Sequence, residues 1–299
     1  MRTAFKKVLI TGISSYLGSK IARILISNNV SVAGIIRKNS NLALLEDVKD
    51  KIKFYNYDGT LESLSSCFEH RYDVVIHLAA STSFNHDFTN LDKIIDSNIR
   101  FGVHILEYLR KTRDTLFINT STYWTHQNKE YSPVNLYAAT KQAFIDILIF
   151  YNDAFNIPSL TLVLYDVYGL DDTRNKLINC LLNAFGTQKE INLTKGEQEL
   201  DLVYIDDVVR GYITAANYYL TKKKRRHEIY SLSTGRPIKL KDIVFKLEKA
   251  FGINNLAHLG AIPYRERQIF KIHYKYKKLP YWQPKTDLDK ILNSVLRER

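Results

Sequence analysis

The chain has 299 residues, 45% of them hydrophobic and 25% charged, a composition that suits a soluble globular protein and can bury a substantial core in one or two domains. Two cysteines, Cys67 and Cys180, offer neither a disulfide framework nor a metal spacing, and the eight histidines form no ligand pattern, which argues against metal catalysis. A net charge of +12 draws small anions, but equally nucleic acid or acidic membranes. No apolar run reaches the length of a signal-peptide core or a membrane span, so a cytoplasmic protein is expected.

Val8-Leu9-Ile10 reads as a buried parallel strand, predicted over 7–11, that runs into Thr11-Gly12-Ile13-Ser14-Ser15-Tyr16-Leu17-Gly18. Helical apolar spacing follows over 16–28. Strand, glycine turn and helix are the context of a dinucleotide fingerprint. Gly12 takes the tight turn, the helix N-terminus offers amides to a pyrophosphate, and Gly18 lets helix and strand approach. Ser15 holds a position where glycine is common, and its hydroxyl can donate to the phosphate. The next strand, 31–36, ends in Arg37-Lys38-Asn39-Ser40 with no acidic residue, which favours the 2′-phosphate of NADP(H) over the 2′-hydroxyl of NAD.

Further strands are predicted at 52–57, 73–79, 115–120 and 159–165, and helices at 61–69, 91–111 and 136–155. This alternation predicts an α/β doubly wound parallel Rossmann sheet with ligands at the carboxyl ends of its strands. Thr11, Arg37, Asp58, Ala79 and Thr122 all fall at or just past such ends. Tyr137 and Lys141, four residues apart on the last helix, share one face. There a phenol can deliver a proton to a carbonyl oxygen while the ammonium lowers its pKa and a Thr122 hydroxyl holds the oxygen. With 20 tyrosines in the chain the spacing alone is weak, and its position downstream of the glycine turn is what strengthens it. Lys222-Lys223-Lys224-Arg225-Arg226 lies between a helical and a strand-like stretch and reads as a solvated connection; no nucleic-acid motif accompanies it.

With these residues in hand, the chain resembles the extended short-chain dehydrogenase/reductases, in their nucleotide-sugar epimerase/dehydratase branch, over nearly its whole length. The likeness rests on Thr11 to Gly18, Asp58, His77-Leu78-Ala79-Ala80, Asn98, Thr120-Ser121-Thr122, Tyr137 to Lys141 and Asp166-Val167-Tyr168-Gly169. It continues through Asp201 to Val208, Pro263 to Arg267 and Trp282-Gln283-Pro284. The resemblance implies Thr122, Tyr137 and Lys141 as catalytic residues, with Tyr137 as general acid and Lys141 on the nicotinamide ribose. It also implies an NADP(H) cradle of Gly12, Ser14, Ser15, Tyr16, Leu17, Gly18, Arg37, Ser40, Asp58 and Ala79, Asp58 meeting the adenine. By the same token residues 1–165 form the cofactor domain, rejoined at about 207–234, and 166–299 form an interleaved lobe for a nucleotide-diphosphate sugar.

Departures lie on the substrate side. Asp166 stands where Asn is usual, Leu170-Asp171 replaces Pro-Gly, and Leu200 replaces an Arg. Arg265 and Arg267 either clamp a diphosphate or pair on the surface with Glu266, and His126 either enters the site or caps a loop. The helices near 91–111 and 136–155, with Ile147, Phe150 and Tyr151 as exposed apolar candidates, correspond to a homodimer interface in many family members.

A 4,6-dehydratase needs the Asp-Glu pair that follows the catalytic Thr in its relatives, and Tyr123-Trp124 stand here instead. A 4-epimerase with resident NAD fits Arg37-Lys38 poorly but stays open, as does a non-catalytic nucleotide- or RNA-binding relative. Simple ketone reduction needs only the trio. The segments 119–126 and 133–137 look like those of bacterial CDP-dideoxyhexose synthases of the paratose or abequose type, which reduce a 4-keto group for surface polysaccharide.

Overall fold

The computed structural model describes residues 3–297 apart from 84–85, 113, 128–129 and 224. Strand and helix alternate through the first half: β1 (Lys7–Thr11), α1 (Tyr16–Ser27), β2 (Ser31–Ile36), β3 (Ile52–Asn56), α2 (Ser65–Phe68), β4 (Val74–His77), α3 (Leu91–Ile95), α4 (Phe101–Leu109), β5 (Leu116–Thr122), α5 (Leu136–Phe155) and β6 (Ser159–Leu164). The second half adds β7 (Asp166–Tyr168), α6 (Leu177–Thr187), β8 (Ile191–Leu193), β9 (Glu199–Leu200), β10 (Leu202–Tyr204), α7 (Ile205–Leu220), β11 (Glu228–Leu232), β12 (Ile238–Lys239), α8 (Leu240–Phe251), β13 (Ala257–Leu259) and α9 (Leu288–Arg297).

Seven strands form one sheet in the order β11-β6-β5-β4-β1-β2-β3, with every pairing parallel. All four residues of β4 are buried, as expected of a strand with helices on both faces. One face is packed by α1 and α7 residues such as Ile21, Leu25, Tyr212 and Tyr219. The other is packed by Phe101, Ile105, Phe144 and Leu148 of α4 and α5. The order reverses between β1 and β4, so a crevice opens at their carboxyl ends, the usual ligand position in an open α/β sheet. A separate apolar cluster joins α6, α8 and α9 around Leu181, Phe185, Ile243 and Leu292, beside three two-stranded pairings, β7 with β10, β9 with β12 and β8 with β13.

Two predicted elements differ in detail. β5 runs on to Thr122 because its pairing with β6 continues through Thr122 and Leu164, so the hydroxyl sits on the strand's last residue. The predicted helix over 91–111 is interrupted by a π turn, Asp96–Arg100. That turn carries Asn98 inward, where it accepts from Ser81 N (2.7 Å) and donates to Thr140 Oγ1 (2.9 Å). The segment after β4 is thereby tied to α5. Tyr151, expected to be exposed, is buried and its hydroxyl donates to Glu107, whereas Phe150 is exposed.

Candidate active site

The glycine turn closes tightly on the end of β4. Gly12 has φ +66°, and a Cβ there would lie 2.8 Å from Ala79 N. A Cβ on Gly18 would lie 2.8 Å from Ile13 Cα and press on the Gly12 carbonyl. Thr11 Oγ1 accepts from Ala79 N (3.1 Å) and shares a hydrogen bond with His77 Nδ1 (2.9 Å), which holds β1 and β4 together at the crevice. Burial among Phe101, Phe117 and Phe144 pushes His77 down to about 3, so it is a neutral tether. This close backbone approach at a helix N-terminus fits a dinucleotide pyrophosphate.

Ser15, expected to face a phosphate, is the N-cap of α1 and accepts from Gly18 N (3.1 Å). Tyr16 turns its hydroxyl to Asp171 Oδ1 (2.6 Å), and Lys20 pairs with the same carboxylate, so the turn is joined to the segment after β7. Arg37 is exposed at the end of β2, its amide capped by Ser40 Oγ (2.9 Å). Asp58 is exposed beyond β3 and accepts from Thr60 N (2.9 Å) and its hydroxyl (2.7 Å), which holds its carboxyl below the usual range.

A cleft of about 590 Å³ continues from the turn into the second half of the chain. Thr122, Tyr137, Asp166, Arg265 and Arg267 all line it, although they come from distant parts of the sequence. Trp124 stands edge-on to the Tyr137 ring with centroids 6.4 Å apart. Lys141, one turn below on α5, is 2% exposed. Burial pushes Tyr137 up to about 12 and Lys141 down to about 8. The lowering of Tyr137 expected from its neighbouring cation is therefore not found, because desolvation of the phenolate dominates.

The cleft is more basic than the sequence suggested. Arg174 and Lys176 line it together with Leu177 and Ile178, the first residues of α6. The signal was a basic pair immediately before a helical apolar run. Arg174 is held bidentate by Asp172 (2.7 and 2.6 Å). Arg267 donates to Pro133 O (3.1 Å) and Ser132 Oγ (2.9 Å), pinning its loop to the entrance of α5. His126 is occupied elsewhere, bonded to Thr125 Oγ1 (2.7 Å) and Lys275 Nζ (2.9 Å), and it does not line the cleft. Two acids of the later motifs are structural. Asp201 accepts from Thr234 N (2.9 Å), Gly235 N (3.0 Å) and Tyr274 OH (2.8 Å). Asp207 accepts from Lys285 N (3.0 Å) and Thr286 N (2.9 Å), while Trp282 Nε1 donates to its carbonyl (2.8 Å).

The family model for the NAD dependent epimerase/dehydratase family matches residues 8–232. A CDP-abequose synthase of Yersinia pseudotuberculosis is 28% identical over 296 residues, covering 98% of this chain and 100% of that one. A CDP-abequose synthase of Salmonella typhimurium is 27% identical over 301 residues, covering 97% of each. Among solved structures, a UDP-glucose 4-epimerase of Thermotoga maritima matches with a TM-score of 0.80 and 22% identity, covering 97% of each chain.

Proposed function

The chain belongs to the NAD dependent epimerase/dehydratase family, and from that premise we propose that it is an NADPH-dependent reductase of the 4-keto group of a nucleotide-activated deoxysugar. The favoured substrate is a CDP-4-keto-3,6-dideoxyhexose, made for surface polysaccharide. The observation that carries the reading is a single cleft lined both by Thr122 and Tyr137 and by Arg174, Lys176, Arg265 and the start of α6. The hydroxyl pair suits a ketone, and the cations with the start of α6 suit a diphosphate. The full-length likeness to CDP-abequose synthases supports the choice of base and sugar.

Gly12, Gly18, Ala79 and the first turn of α1 would hold the cofactor, with Arg37 and Ser40 on its 2′-phosphate, Asp58 towards the adenine and Lys141 on the ribose next to the nicotinamide. When bound, the nicotinamide supplies the hydride. Tyr137, protonated through the physiological range because burial holds its phenol near 12, gives its proton to the developing alkoxide. Thr122 orients that oxygen, and the Lys141 ammonium stabilises the phenolate left behind. Trp124 shields the phenol from water.

Purified protein given a CDP-4-keto-3,6-dideoxyhexose is expected to consume NADPH, with Tyr137→Phe lowering turnover by ~10²–10⁴-fold and leaving cofactor affinity unchanged. Undiminished turnover in that variant would refute the catalytic assignment. A UDP-glucose 4-epimerase shares the fold, so epimerisation is the second reading. Stoichiometric NAD released on denaturation, with no net NADPH consumption, would establish it instead. A homodimer through α3, α4 and α5 is part of this proposal, with Leu91, Ile149 and Phe150 exposed on those helices. Sedimentation of a monomer at micromolar concentration would rule it out.

A further inference from the structure

Among the described residues two carboxyls line the cleft, Glu199, which accepts from Ile272 N, and Asp166 on β7, which has few donors. Tyr123 OH reaches both of its oxygens at 3.2 Å, and Asp201 N donates to Oδ2 at 3.1 Å. The neighbouring Asp201 carboxyl accepts from Thr234, Gly235 and Tyr274 and lies beside Asp166, to which its own amide donates. Tyr165 stacks on Tyr123 with centroids 4.9 Å apart, so an aromatic pair backs Asp166, which stays partly exposed to the cleft. Lys176 is the cation that acts on Asp166 from the α6 side, and it is itself opposed by Arg174 and Arg265. Desolvation outweighs these partners and pushes Asp166 up to about 7.

An anion entering the cleft adds negative charge beside a carboxyl that is already poorly compensated. We propose that Asp166 meets the bound nucleotide sugar as a neutral carboxylic acid, so that binding takes up a proton from the solvent at and above neutral pH. The protonated acid presents an O–H donor, whereas the carboxylate would repel the diphosphate. The proton binds to a carboxylate oxygen, no other bond forms or breaks, and release of the nucleotide returns it to buffer. Binding then weakens as pH rises through the acid's range. The inference rests on the nucleotide-sugar reading above.

The test is calorimetric titration of the NADP(H)-loaded protein with CDP-glucose and with UDP-glucose. It is run at about pH 8 in buffers of different ionisation enthalpy, since their difference reports protons exchanged. The wild type is expected to take up most of one proton per site, falling towards none at about pH 5.5, and its Kd should rise up to about tenfold per pH unit above neutrality. Asp166→Asn is expected to take up most of a proton less than the wild type and to show a correspondingly flatter pH profile. Tyr123→Phe removes a donor to the carboxylate and should move the uptake profile to higher pH. Binding with equal proton uptake in the wild type and Asp166→Asn, or with none in the wild type, would overturn the inference and leave the nucleotide-sugar reading standing. If neither nucleotide sugar binds, that reading falls and takes the inference with it.

Discussion

Burial decides the charge states at the heart of the cleft, and Lys141 bears the larger consequence for the fold. Its pKa is about 8 against an ordinary 10.5. Between those values the unfolded chain holds a proton that the folded chain does not, so this group's contribution to stability rises with pH across that window. Below about pH 8 the full cost of a buried ammonium is present. Lys141→Met is therefore expected to abolish reduction yet stabilise the fold at neutral pH by on the order of 3 kcal/mol, the gain shrinking as the pH approaches 10. Urea unfolding at a series of pH values measures this. A methionine variant no more stable than the wild type at neutrality would mean that hydrogen bonds compensate the ammonium. Lys141 and Tyr137 were legible from their spacing together with their position downstream of the glycine turn, but the direction of the Tyr137 shift was not, because the sequence displays the neighbouring cation and conceals the desolvation.

At the scale of elements, α1 and the turn before it carry two functions. Ser15 caps the helix through Gly18 N, so Ser15→Ala is expected to cost about 1 kcal/mol and Ser15→Gly only a few tenths, read as shifts in the denaturant midpoint. The cap uses only the oxygen as acceptor and leaves the O–H to donate to a phosphate, so cofactor affinity in Ser15→Ala should fall as well. Gly12→Ala acts through the backbone instead. Its positive φ and the 2.8 Å approach to Ala79 N leave no room for a methyl, so the turn must open. NADPH binding, followed by fluorescence, should fall by more than tenfold, about 1.4 kcal/mol or more. Tight binding in Gly12→Ala would contradict the turn's assignment. The strand-turn-helix pattern was readable because periodicity and glycine placement are local. The π turn at Asn98 was not, since its bonds to Ser81 and Thr140 join segments far apart in the chain.

For the whole molecule, the charge of +12 and the basic residues lining the cleft make association with an anionic ligand depend on salt. The Kd for CDP-glucose is expected to rise several-fold between low and half-molar salt, whereas a salt-independent Kd would show that the net field does not reach the cleft. The chain leaves the sheet after β6 and rejoins it at β11, the edge beside β6, after building β7, α6 and β8 to α7; the pairings of β9 with β12 and β8 with β13 close only after β11. Sequence alone determined the α/β class, the glycine turn and the Tyr137–Lys141 face, because each is written in local spacing: a period of two, a period near four, or a glycine where a side chain cannot fit. Only the tertiary structure decided that Ser15 caps, that Asp201 and Asp207 are anchors, and that Arg174 and Lys176 share a cleft with Thr122. It also decided that burial shifts both Asp166 and Tyr137 upward. Those outcomes depend on which distant segments supply donors and exclude water, and neither quantity is a property of any short stretch of chain.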